Sequence, residues 1–563
     1  MPDVHPGLVL IAGGLLLSLL RGRLRSAVAL VVPLVSLLLV WTVADGTIWI
    51  GNLAGFTTVP FAVDRLSRLF ATIFALMTFG GALFGLNQSS RLEMPAAFVY
   101  AGSALGVTFA GDLLTLFVFW ELMAIGSTLV MWSAGSPSSY RASLRYLMIH
   151  LIGGVLLMVG IAGHVLETGS LQFVAMSPHG IAHWFILAAF LINAGAPPLS
   201  AWLPDVYPEA SWSGMVFLSA FTTKIAVYAL IRGFPGAEPL VYIGLYMVFY
   251  GIIYALLEND MRRILAYSIV NQVGFMVTAI GIGTEMALNG AAAHAFTHIL
   301  YKGLLIMSAG SVLYMTGRRK CTDLGGLFQS MPLTALCGIV GALAISAFPL
   351  TSGFVSKALT IQAAVDEHLF LVWILLVAAS AGVFLHAGIK FPWFVFFQKN
   401  SGLRPPDPPL NMRLAMLFFA GLCIGLGIFY QPLYRLLPFP VAFEPYTGAH
   451  VVTQLQLLLF SGLAFFVMLG WLRRTLTITL DFDWLYRAFL PTVASRVEAR
   501  FVSMRSSIIE CALRSVARLF GAVQRWHGPH GIVARTDHAG STAMWMLGLL
   551  GTLMALLLIG YLT

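Results

Sequence analysis

Charged side chains are scarce in this sequence of 563 residues: 10% are Asp, Glu, Lys or Arg, whereas 59% are hydrophobic. A water-soluble protein of this size could not cover its surface with so few charges, which excludes an ordinary soluble enzyme or binding domain. Cysteine is also rare, with only Cys321, Cys337, Cys423 and Cys511. No two of these have the spacing of a metal or redox motif, so we expect no disulfide, no metal site and no bound cofactor.

Long apolar runs take the place of the missing charges. About 20 apolar residues cross a bilayer, and the sequence contains 15 or 16 runs near this length: 7–20, 26–44, 66–86, 94–110, 112–133, 146–166, 181–200, 212–231, 239–257, 264–283, 286–315, 331–350, 370–392, 410–430, 452–472 and 541–562. The first run has no Lys or Arg before it and no cleavage pattern after it, which indicates a retained helix rather than a signal peptide. The pattern predicts an all-α polytopic membrane protein.

Lys and Arg are distributed unevenly between the loops. Loops on one side of the predicted spans carry Arg21, Arg23, Arg25, Arg91, Arg141, Arg145, Arg262, Arg263, Arg318, Arg319, Lys320, Lys390, Lys399, Arg404, Arg473 and Arg474. The opposite loops 167–180 and 284–285 have none. By the positive-inside rule we expect an extracytoplasmic N-terminus and a multi-pass protein of the cell inner (plasma) membrane. The net charge of +9 is explained by this surplus, and no nucleic-acid partner is expected.

The composition changes after Arg474. Residues 481–527 are rich in Arg, with apolar side chains interleaved at helical spacing. This pattern is typical of a long amphipathic helix on the cytoplasmic side, which would lie on the lipid surface or pack laterally along neighbouring subunits. A Gly/Pro/His linker at 527–531 and a final apolar span follow.

Ionisable residues within the spans are the strongest functional candidates. A charge at mid-membrane costs roughly 2.5–3.5 kcal/mol on insertion scales, so such residues face a protein interior or water. Glu121 is the one acid in the middle of its run, and Lys224 lies too deep in its helix to reach an interface easily. The alternatives to proton exchange are that Glu121 is a neutral carboxyl packed in the interior, and that Lys224 extends its side chain to the membrane interface.

The run 286–315 carries "HAFTHILYKG" near its centre. His294, His298 and Lys302 have the spacing i, i+4, i+8, and they fall within roughly 80° of one another on one helix face. A row of titratable groups of this kind can pass protons through water. Paired histidines in membrane helices can also bind haem, but a second His pair on another helix is absent from the sequence.

Two segments combine deep position with helix breakers. Lys357 follows Pro349 and Gly353 in "FPLTSGFVSK", and "AGAPPLSAWLPD" at 194–205 has a similar order of residues. Broken helices at membrane depth are common where they line transport sites, and the pair hints at an internal repeat. Nearer the span ends, His150, His164, His386 and Lys390 are interpreted as structural or interfacial, and His386 and Lys390 could also mark an exit.

Taken together, several motifs resemble the antiporter-like membrane subunit family, over roughly residues 60 to 430. This family includes proton-pumping subunits of complex I and of membrane-bound hydrogenases, and the D-type subunit of Mrp-type cation/proton antiporters. The motifs are, in order, "FWELMAIGS", "PPLSAWLPD", "TKIAVYAL", "ENDMRRILAYSIVNQVGFM", "HAFTHILYKGLLIMSAGSV", "DLGGL" and "FPLTSGFVSK".

The resemblance implies two inverted five-helix repeats with broken helices, plus flanking helices and a C-terminal lateral helix. It implies a proton relay formed by Glu121, Lys224, His294, His298, Lys302 and Lys357. The chain departs from the family at one position of the seventh helix, where a lysine usually pairs with the glutamate. Here that position is Asn193, which does not titrate, so the usual pairing cannot operate unchanged.

The resulting hypothesis is a proton-translocating subunit of a multi-subunit Mrp-type Na⁺/H⁺ antiporter, with protons, Na⁺, lipid and other membrane subunits as partners. The expected regions are 1–90 (N-terminal helices), 91–400 (translocating core), 401–475 (additional helices), 476–530 (lateral helix) and 541–563 (final helix). A redox-driven pump subunit of complex I or hydrogenase type and a non-pumping structural subunit are the alternatives. A self-contained solute carrier is disfavoured, because no solute pocket can be read. The chain carries no redox or nucleotide motif, so any redox catalysis belongs to partners.

Overall fold

The computed structural model describes residues 4–471, 481–531, 533 and 539–562. The described chain is helical almost throughout, with a single β-hairpin. It divides into two compact units, one ending at Asp483 and the other beginning at Trp484. The predicted all-α membrane fold is confirmed.

Three helices and the hairpin form the N-terminal part: α1 (Pro6–Leu19), α2 (Gly22–Thr42), β1 (Gly46–Leu53), β2 (Phe56–Val63) and α3 (Arg65–Phe84). The strands pair antiparallel, and the two-residue turn between them has positive φ at Ala54 (51°) and Gly55 (87°). Such a turn matches the twist of the flanking strands. The sequence analysis missed this hairpin, because it treated residues 45–63 as a loop between two spans.

The next helices form a unit of five successive segments, of which the fourth and the fifth each consist of two helices. The segments are α4 (Glu93–Phe109), α5 (Leu113–Trp132), α6 (Pro137–Thr168), α7 (Ile181–Ala194) with α8 (Trp202–Val206), and α9 (Gly214–Leu218) with α10 (Thr222–Gly233). The break after α7 begins at Gly195, which has a φ of 79°. Prolines follow at 197 and 198, where a continuing helix would lose its hydrogen bonds.

A second unit repeats this order: α11 (Pro239–Leu257), α12 (Met261–Ile282), α13 (Glu285–Thr316), α14 (Pro332–Ile345) with α15 (Ser352–Asp366), and α16 (Phe370–Val383), which continues through π-helical turns to Phe397. The break after α14 contains Ala347 and Leu350, both with positive φ. Each unit has five successive segments, an odd number, so a chain that crosses the membrane with each segment would begin the second unit on the opposite side, as the predicted inverted repeats require.

The remaining helices follow the repeats: α17 (Leu410–Ile428), α18 (Gln431–Leu436), α19 (Gly448–Val467), α20 (Leu490–His527) and α21 (Ala539–Leu562). The predicted lateral helix corresponds to α20, a helix of 38 residues with no buried residue. Arg473 and Arg474, and the predicted boundary at 475 and 476, lie outside the described residues.

Twelve helices of the described chain are long and apolar enough to cross a membrane. The larger number expected from the sequence includes four runs that form shorter helices, namely α1, α4, α7 and α14. Two spans, Gly214–Gly233 and Met261–Ile282, are fully buried in their apolar windows. The core of the molecule therefore lies where α10, α12 and α13 meet, and Lys224, His294, His298 and Lys302 are on α10 and α13.

Candidate functional site

Helix α13 carries the histidine and lysine row at its centre. Thr284 caps its start by accepting a hydrogen bond from the Ala287 amide at 3.3 Å, and Gly317 ends it with a φ of 67°. His294, His298 and Lys302 are all at most 1% exposed. The sequence prediction that these three side chains point into protein rather than lipid is consistent with this burial.

His294 is held from three sides. Its Nε2 atom lies 3.1 Å from Gln272 Oε1 on α12, and its Nδ1 atom lies 3.2 Å from Ser356 Oγ on α15. The Tyr301 hydroxyl donates to the same Gln272 oxygen at 3.1 Å, and Thr297 donates to Ser356 Oγ at 2.7 Å. This network joins the row to α12 and to the broken helix of the second repeat.

His298 differs from His294, because neither of its ring nitrogens has a hydrogen-bond partner within the described chain. Its ring centroid lies 6.2 Å from that of His294 and 5.3 Å from that of Tyr301. Buried polar atoms that lack a protein partner are normally satisfied by water. One turn further, Lys302 Nζ donates to Ser268 Oγ on α12 at 2.8 Å.

Lys357 lies on α15, just beyond the break of the second repeat. Its Nζ atom donates to the carbonyl oxygen of Ile345, the last residue of α14, at 2.7 Å. The same ammonium lies 5.1 Å from the centre of the Phe275 ring. The last carbonyls of a helix have no intrahelical partner, so the break supplies the acceptor that allows a lysine to be buried here.

Lys224 occupies a comparable place between α9 and α10. Its Nζ atom donates to the carbonyl oxygen of Ser219 at 2.7 Å and to Thr223 Oγ1 at 3.0 Å. The side chain is fully buried. As with Lys357, an interrupted helix provides carbonyl and hydroxyl acceptors for the charge.

The buried basic groups act on one another electrostatically. His298 is influenced by the charges of Lys224, Lys302 and Lys357, and Lys302 by those of Lys224 and Lys357. Protonation of one group therefore changes the proton affinity of the others, so the groups titrate as a coupled set. The structure brings these four predicted residues, together with His294, into one buried row.

Glu121 is placed apart from this row. It is half-buried on α5, and its Oε1 atom has no hydrogen-bond partner in the part of the chain that the structure describes. No ion pair between described residues includes it. Asn193, at the end of α7, is 1% exposed and has an equally unpartnered Oδ1 atom.

The predicted exit residues have local partners. Lys390 Nζ donates to the carbonyl oxygens of Ala255, Leu256 and Glu258, at 3.0, 2.5 and 2.6 Å. These carbonyls end α11, so this lysine caps a helix C-terminus, where a cation is favoured. His386 Nδ1 lies 2.9 Å from the carbonyl oxygen of Gly382 on its own helix. A role of either residue in proton exit stays a prediction.

Sequence reasoning missed the polar stripe that faces the row. Ser268, Asn271 and Gln272 lie on α12 at the spacing i, i+3, i+4 and are fully buried. Their side chains contact Lys302, Val248 and His294 respectively. The sequence could have indicated this stripe, because three polar residues share one face of an otherwise apolar helix and burying them without hydrogen-bond partners would be costly.

The chemistry that this arrangement can perform is proton exchange along buried bases. The described residues contain no group of three or more His, Cys, Asp or Glu side chains placed to hold a metal ion. What they contain is a set of buried imidazole, ammonium, hydroxyl and amide groups on α10, α12, α13 and α15. Such groups can pass protons directly or through water.

Comparison with known proteins agrees with this geometry. The family described as "NADH:quinone oxidoreductase/Mrp antiporter, TM" matches residues 110–382. The chain is 28% identical over 416 residues to the D-type subunit of the Na(+)/H(+) antiporter of Alkalihalophilus pseudofirmus, covering 67% of this chain and 82% of that protein. It is 30% identical over 368 residues to "NADH-quinone oxidoreductase subunit N" of Desulforudis audaxviator, covering 60% of this chain and 73% of the relative.

Among solved structures, the membrane-bound sulfane sulfur reductase, an archaeal respiratory membrane complex, contains a chain with the same fold. The TM-score is 0.71 at 24% identity, and the match covers 98% of this chain and 99% of that chain. The structural relative is thus part of a larger membrane assembly. From the matched core, the relatives and the shared fold, we conclude that this multi-pass membrane protein belongs to the NADH:quinone oxidoreductase/Mrp antiporter family of membrane subunits.

Proposed function

We propose that the chain is the proton-translocating subunit of a multi-subunit antiporter that exchanges Na⁺, or another monovalent cation, for protons. The observation that carries the proposal is the row of Lys224, His298, Lys302 and Lys357, which are at most 1% exposed yet have no carboxylate partner in any ion pair between described residues. Buried basic groups without counter-ions are costly to keep. Groups that exchange protons account for that cost.

Protons would move between these groups by changes of protonation, with water around His298 as the intermediate carrier. Because the groups are coupled, a proton arriving at one end of the row favours release from the other. Glu121 would exchange protons in the first repeat. The relatives that this chain resembles include an Na⁺/H⁺ antiporter subunit of the D type, which supports monovalent cation exchange as the process coupled to this movement.

We place the protein in the cell inner membrane, in contact with lipid and with other membrane subunits. Arg141, Arg262 and Arg319 lie at helix ends on one side of the predicted topology, which supports a cytoplasmic position for that side and an extracytoplasmic N-terminus. On this assignment α20 lies on the cytoplasmic side. Its exposed apolar residues suit a lipid surface or neighbouring subunits.

A second candidate is a proton-pumping subunit of a redox-driven complex. One observation favours it: among solved structures, the match to a chain of the sulfane sulfur reductase covers 98% of this chain, whereas the match to a chain of the Mrp complex from Dietzia covers 77%. In that case electron transfer in partner subunits would drive the same row of residues. Such a pump would have to work with Asn193, which does not titrate, at the position where the family usually has a lysine.

The experiment that tests both candidates begins with isolation of the native complex in mild detergent. Mass spectrometry would identify its subunits, and an optical spectrum would detect flavin or iron–sulfur centres. Small hydrophobic antiporter subunits without a chromophore support the exchanger, whereas redox subunits support the second candidate. The purified complex is then placed in vesicles, where a Na⁺ gradient or a reductant is applied and internal pH is followed.

Lys224→Ala separates a transporting subunit from a structural one. We expect it to abolish the pH change in those vesicles while the subunit composition stays the same. An exposed lysine, Lys320, supplies the matched control Lys320→Ala, which should transport normally. A normal pH change with Lys224→Ala would reject the proton-relay role and favour the non-pumping subunit.

A further inference from the structure

One buried histidine outside the row, His150, has a ring nitrogen that is free to accept a proton. His150 lies on α6 and is 1% exposed. Its Nδ1 atom lies 2.9 Å from the carbonyl oxygen of Tyr146. A carbonyl oxygen can only accept, so Nδ1 carries the hydrogen of the neutral ring and Nε2 keeps a free lone pair. That Nε2 atom is buried and has no partner within the described chain.

The ring is held rigidly in this orientation. It stacks on the Tyr146 ring with centroids 3.8 Å apart and meets the Trp202 indole edge-on at 4.7 Å. Trp202 is itself fixed, since its Nε1 atom donates to the carbonyl oxygen of Ile192 at 2.9 Å. The imidazole therefore packs against the first residue of α8, which is itself bonded to α7 across the break in the first repeat.

The same face of α6 touches Glu121 and Asn193. Residues 150, 153 and 154 have the spacing i, i+3, i+4, which places them on one stripe of the helix. A β-carbon on Gly154 would collide with Glu121 Oε1, and one on Gly153 would lie 3.7 Å from Asn193 Oδ1. Because Gly153 and Gly154 have no side chains, the Glu121 carboxyl and the Asn193 amide can approach the face of α6 that carries His150.

Three acceptor atoms with no donor within the described chain belong to side chains on or against this stripe: His150 Nε2, Glu121 Oε1 and Asn193 Oδ1. Buried acceptors need a donor, which is supplied by water or by a bound proton. Of the three groups, the imidazole and the carboxyl can exchange a proton, whereas the amide cannot. If either the imidazole or the carboxyl binds a proton, it becomes a hydrogen-bond donor, and intervening water can pass that hydrogen bond on to the other group.

Among the charged and titratable groups near His150, Arg145 and Tyr146 are already engaged, whereas the buried Tyr207 hydroxyl, whose ring packs against Trp202, has no partner within the described chain. Arg145, one turn away, forms a two-bond ion pair with Asp205 of α8, with both distances 2.8 Å. The Tyr146 hydroxyl bonds Ser127 of α5 and Thr222 of α10. Thr222 and Thr223 begin α10, and Thr223 accepts from Lys224. His150 therefore shares α6 with Tyr146, whose hydroxyl reaches Thr222 at the start of the helix that carries Lys224.

We propose that His150 is a proton-exchanging residue of the first repeat, which passes protons between Glu121 and the Lys224 end of the buried row. This inference rests on the proposed function and names a further residue for it. It also revises the sequence interpretation, in which His150 was structural or interfacial. No lysine or arginine forms an ion pair with Glu121 among the described residues, so the imidazole is the basic group that the stripe offers to this carboxyl.

The test compares two substitutions in the intact complex in vesicles. His150→Phe keeps the ring contacts with Tyr146 and Trp202 but removes Nε2, and His150→Gln keeps a polar side chain that cannot titrate. We expect both to lower the initial rate of the pH change by at least about a hundredfold, the lower end of the range for general acid–base groups. Subunit composition and thermal unfolding temperature should stay near those of the unsubstituted complex.

Rescue and control variants separate proton exchange from packing. Asn193→His in the His150→Phe background places an imidazole on the same glycine stripe and should restore part of the rate. His164→Phe removes another buried histidine of α6, one that pairs with His183 at 3.0 Å, and should leave the rate unchanged. A normal rate with His150→Phe or with His150→Gln would overturn the proposal.

A spectroscopic measurement covers the case in which His150→Phe fails to assemble. The infrared carboxyl band of Glu121, identified by its loss in Glu121→Gln, should titrate at a different pH in His150→Gln than in the unsubstituted complex. An unchanged titration would overturn the proposal. Lys224→Ala, measured alongside, keeps the two hypotheses distinct: if it still transports, the proposed function fails. If it is inactive while the His150 variants are normal, only this inference fails.

Discussion

The ammonium of Lys357 donates to the carbonyl oxygen of Ile345 across the helix break of the second repeat, at 2.7 Å. In the first repeat, the indole of Trp202 makes the corresponding bond to Ile192 at 2.9 Å. Both breaks thus leave a carbonyl oxygen that a side chain from beyond the break satisfies. One donor is a titratable cation and the other a neutral ring, so the two repeats share a construction but differ in charge.

Lys357→Met should abolish transport while the complex still assembles, because the variant keeps the apolar stem and loses the charge. The Ile345 carbonyl then lacks its donor, which costs about 1–3 kcal/mol of stability when a buried group is left unpaired. Internal pH in vesicles and the thermal unfolding temperature measure the two effects. Lys320→Met, at an exposed position, is the control, and a normal pH gradient with Lys357→Met would remove this residue from the relay.

His294 and His298 should differ in stability although they are neighbours. His294→Ala leaves Gln272 and Ser356 without this partner, whereas His298→Ala breaks no hydrogen bond between described residues. We therefore expect the first variant to unfold at a lower temperature than the second, with both impaired in transport. Equal unfolding temperatures in the assembled complex would contradict the hydrogen-bond assignment around His294.

The ion pair of Arg145 with Asp205 should stabilise the broken segment of the first repeat. Its two parallel bonds join α6 to α8, and the Asp205 carboxylate is only 4% exposed. A double-mutant cycle with Arg145→Met and Asp205→Asn should yield a coupling free energy of roughly 0.5–3 kcal/mol, the usual range for residues in contact. Additive effects of the two substitutions on the free energy of unfolding would reject the coupling.

The loop after α18 should lose a contact on acidification. Hydrogen bonds from the Tyr430 hydroxyl, at 2.5 Å, and from the Tyr446 amide, at 3.0 Å, lower the pKa of Glu444. The hydrogen bond to Glu444, with burial as the next largest cause, raises the pKa of Tyr430 to about 12. Since the folded pKa of the carboxyl is depressed, its stabilisation is complete above the unfolded value of about 4.3 and disappears as pH falls through the folded value.

Tyr430→Phe should therefore reduce the acid sensitivity of this loop. The measurement is protection of residues 437–447 from hydrogen exchange at pH 7 and at pH 3, in the unsubstituted and the substituted protein. Glu444 is exposed, so the expected change is local. An equal loss of protection in both proteins would show that another group carries the acid sensitivity.

Several features of the site could be predicted from sequence because they depend on local spacing. His294, His298 and Lys302 share a face through helical periodicity alone, and the prolines at 197, 198 and 349 interrupt their helices wherever these pack. The stripe of Ser268 and Gln272 was equally local but was overlooked. The role of His150 could not be inferred, because its free Nε2 becomes evident only beside Trp202 and the glycines of α6.

The sequence by itself determined that this chain crosses a membrane many times, and which buried positions carry titratable groups. Apolar length and the cost of charge in lipid decide both, and neither depends on which helices meet. The tertiary structure alone decided the partners: Ile345 for Lys357, Ser268 for Lys302, three helix-end carbonyls for Lys390. These pairings join residues 12 to 135 positions apart, and only the packing of the helices brings such atoms within hydrogen-bond distance.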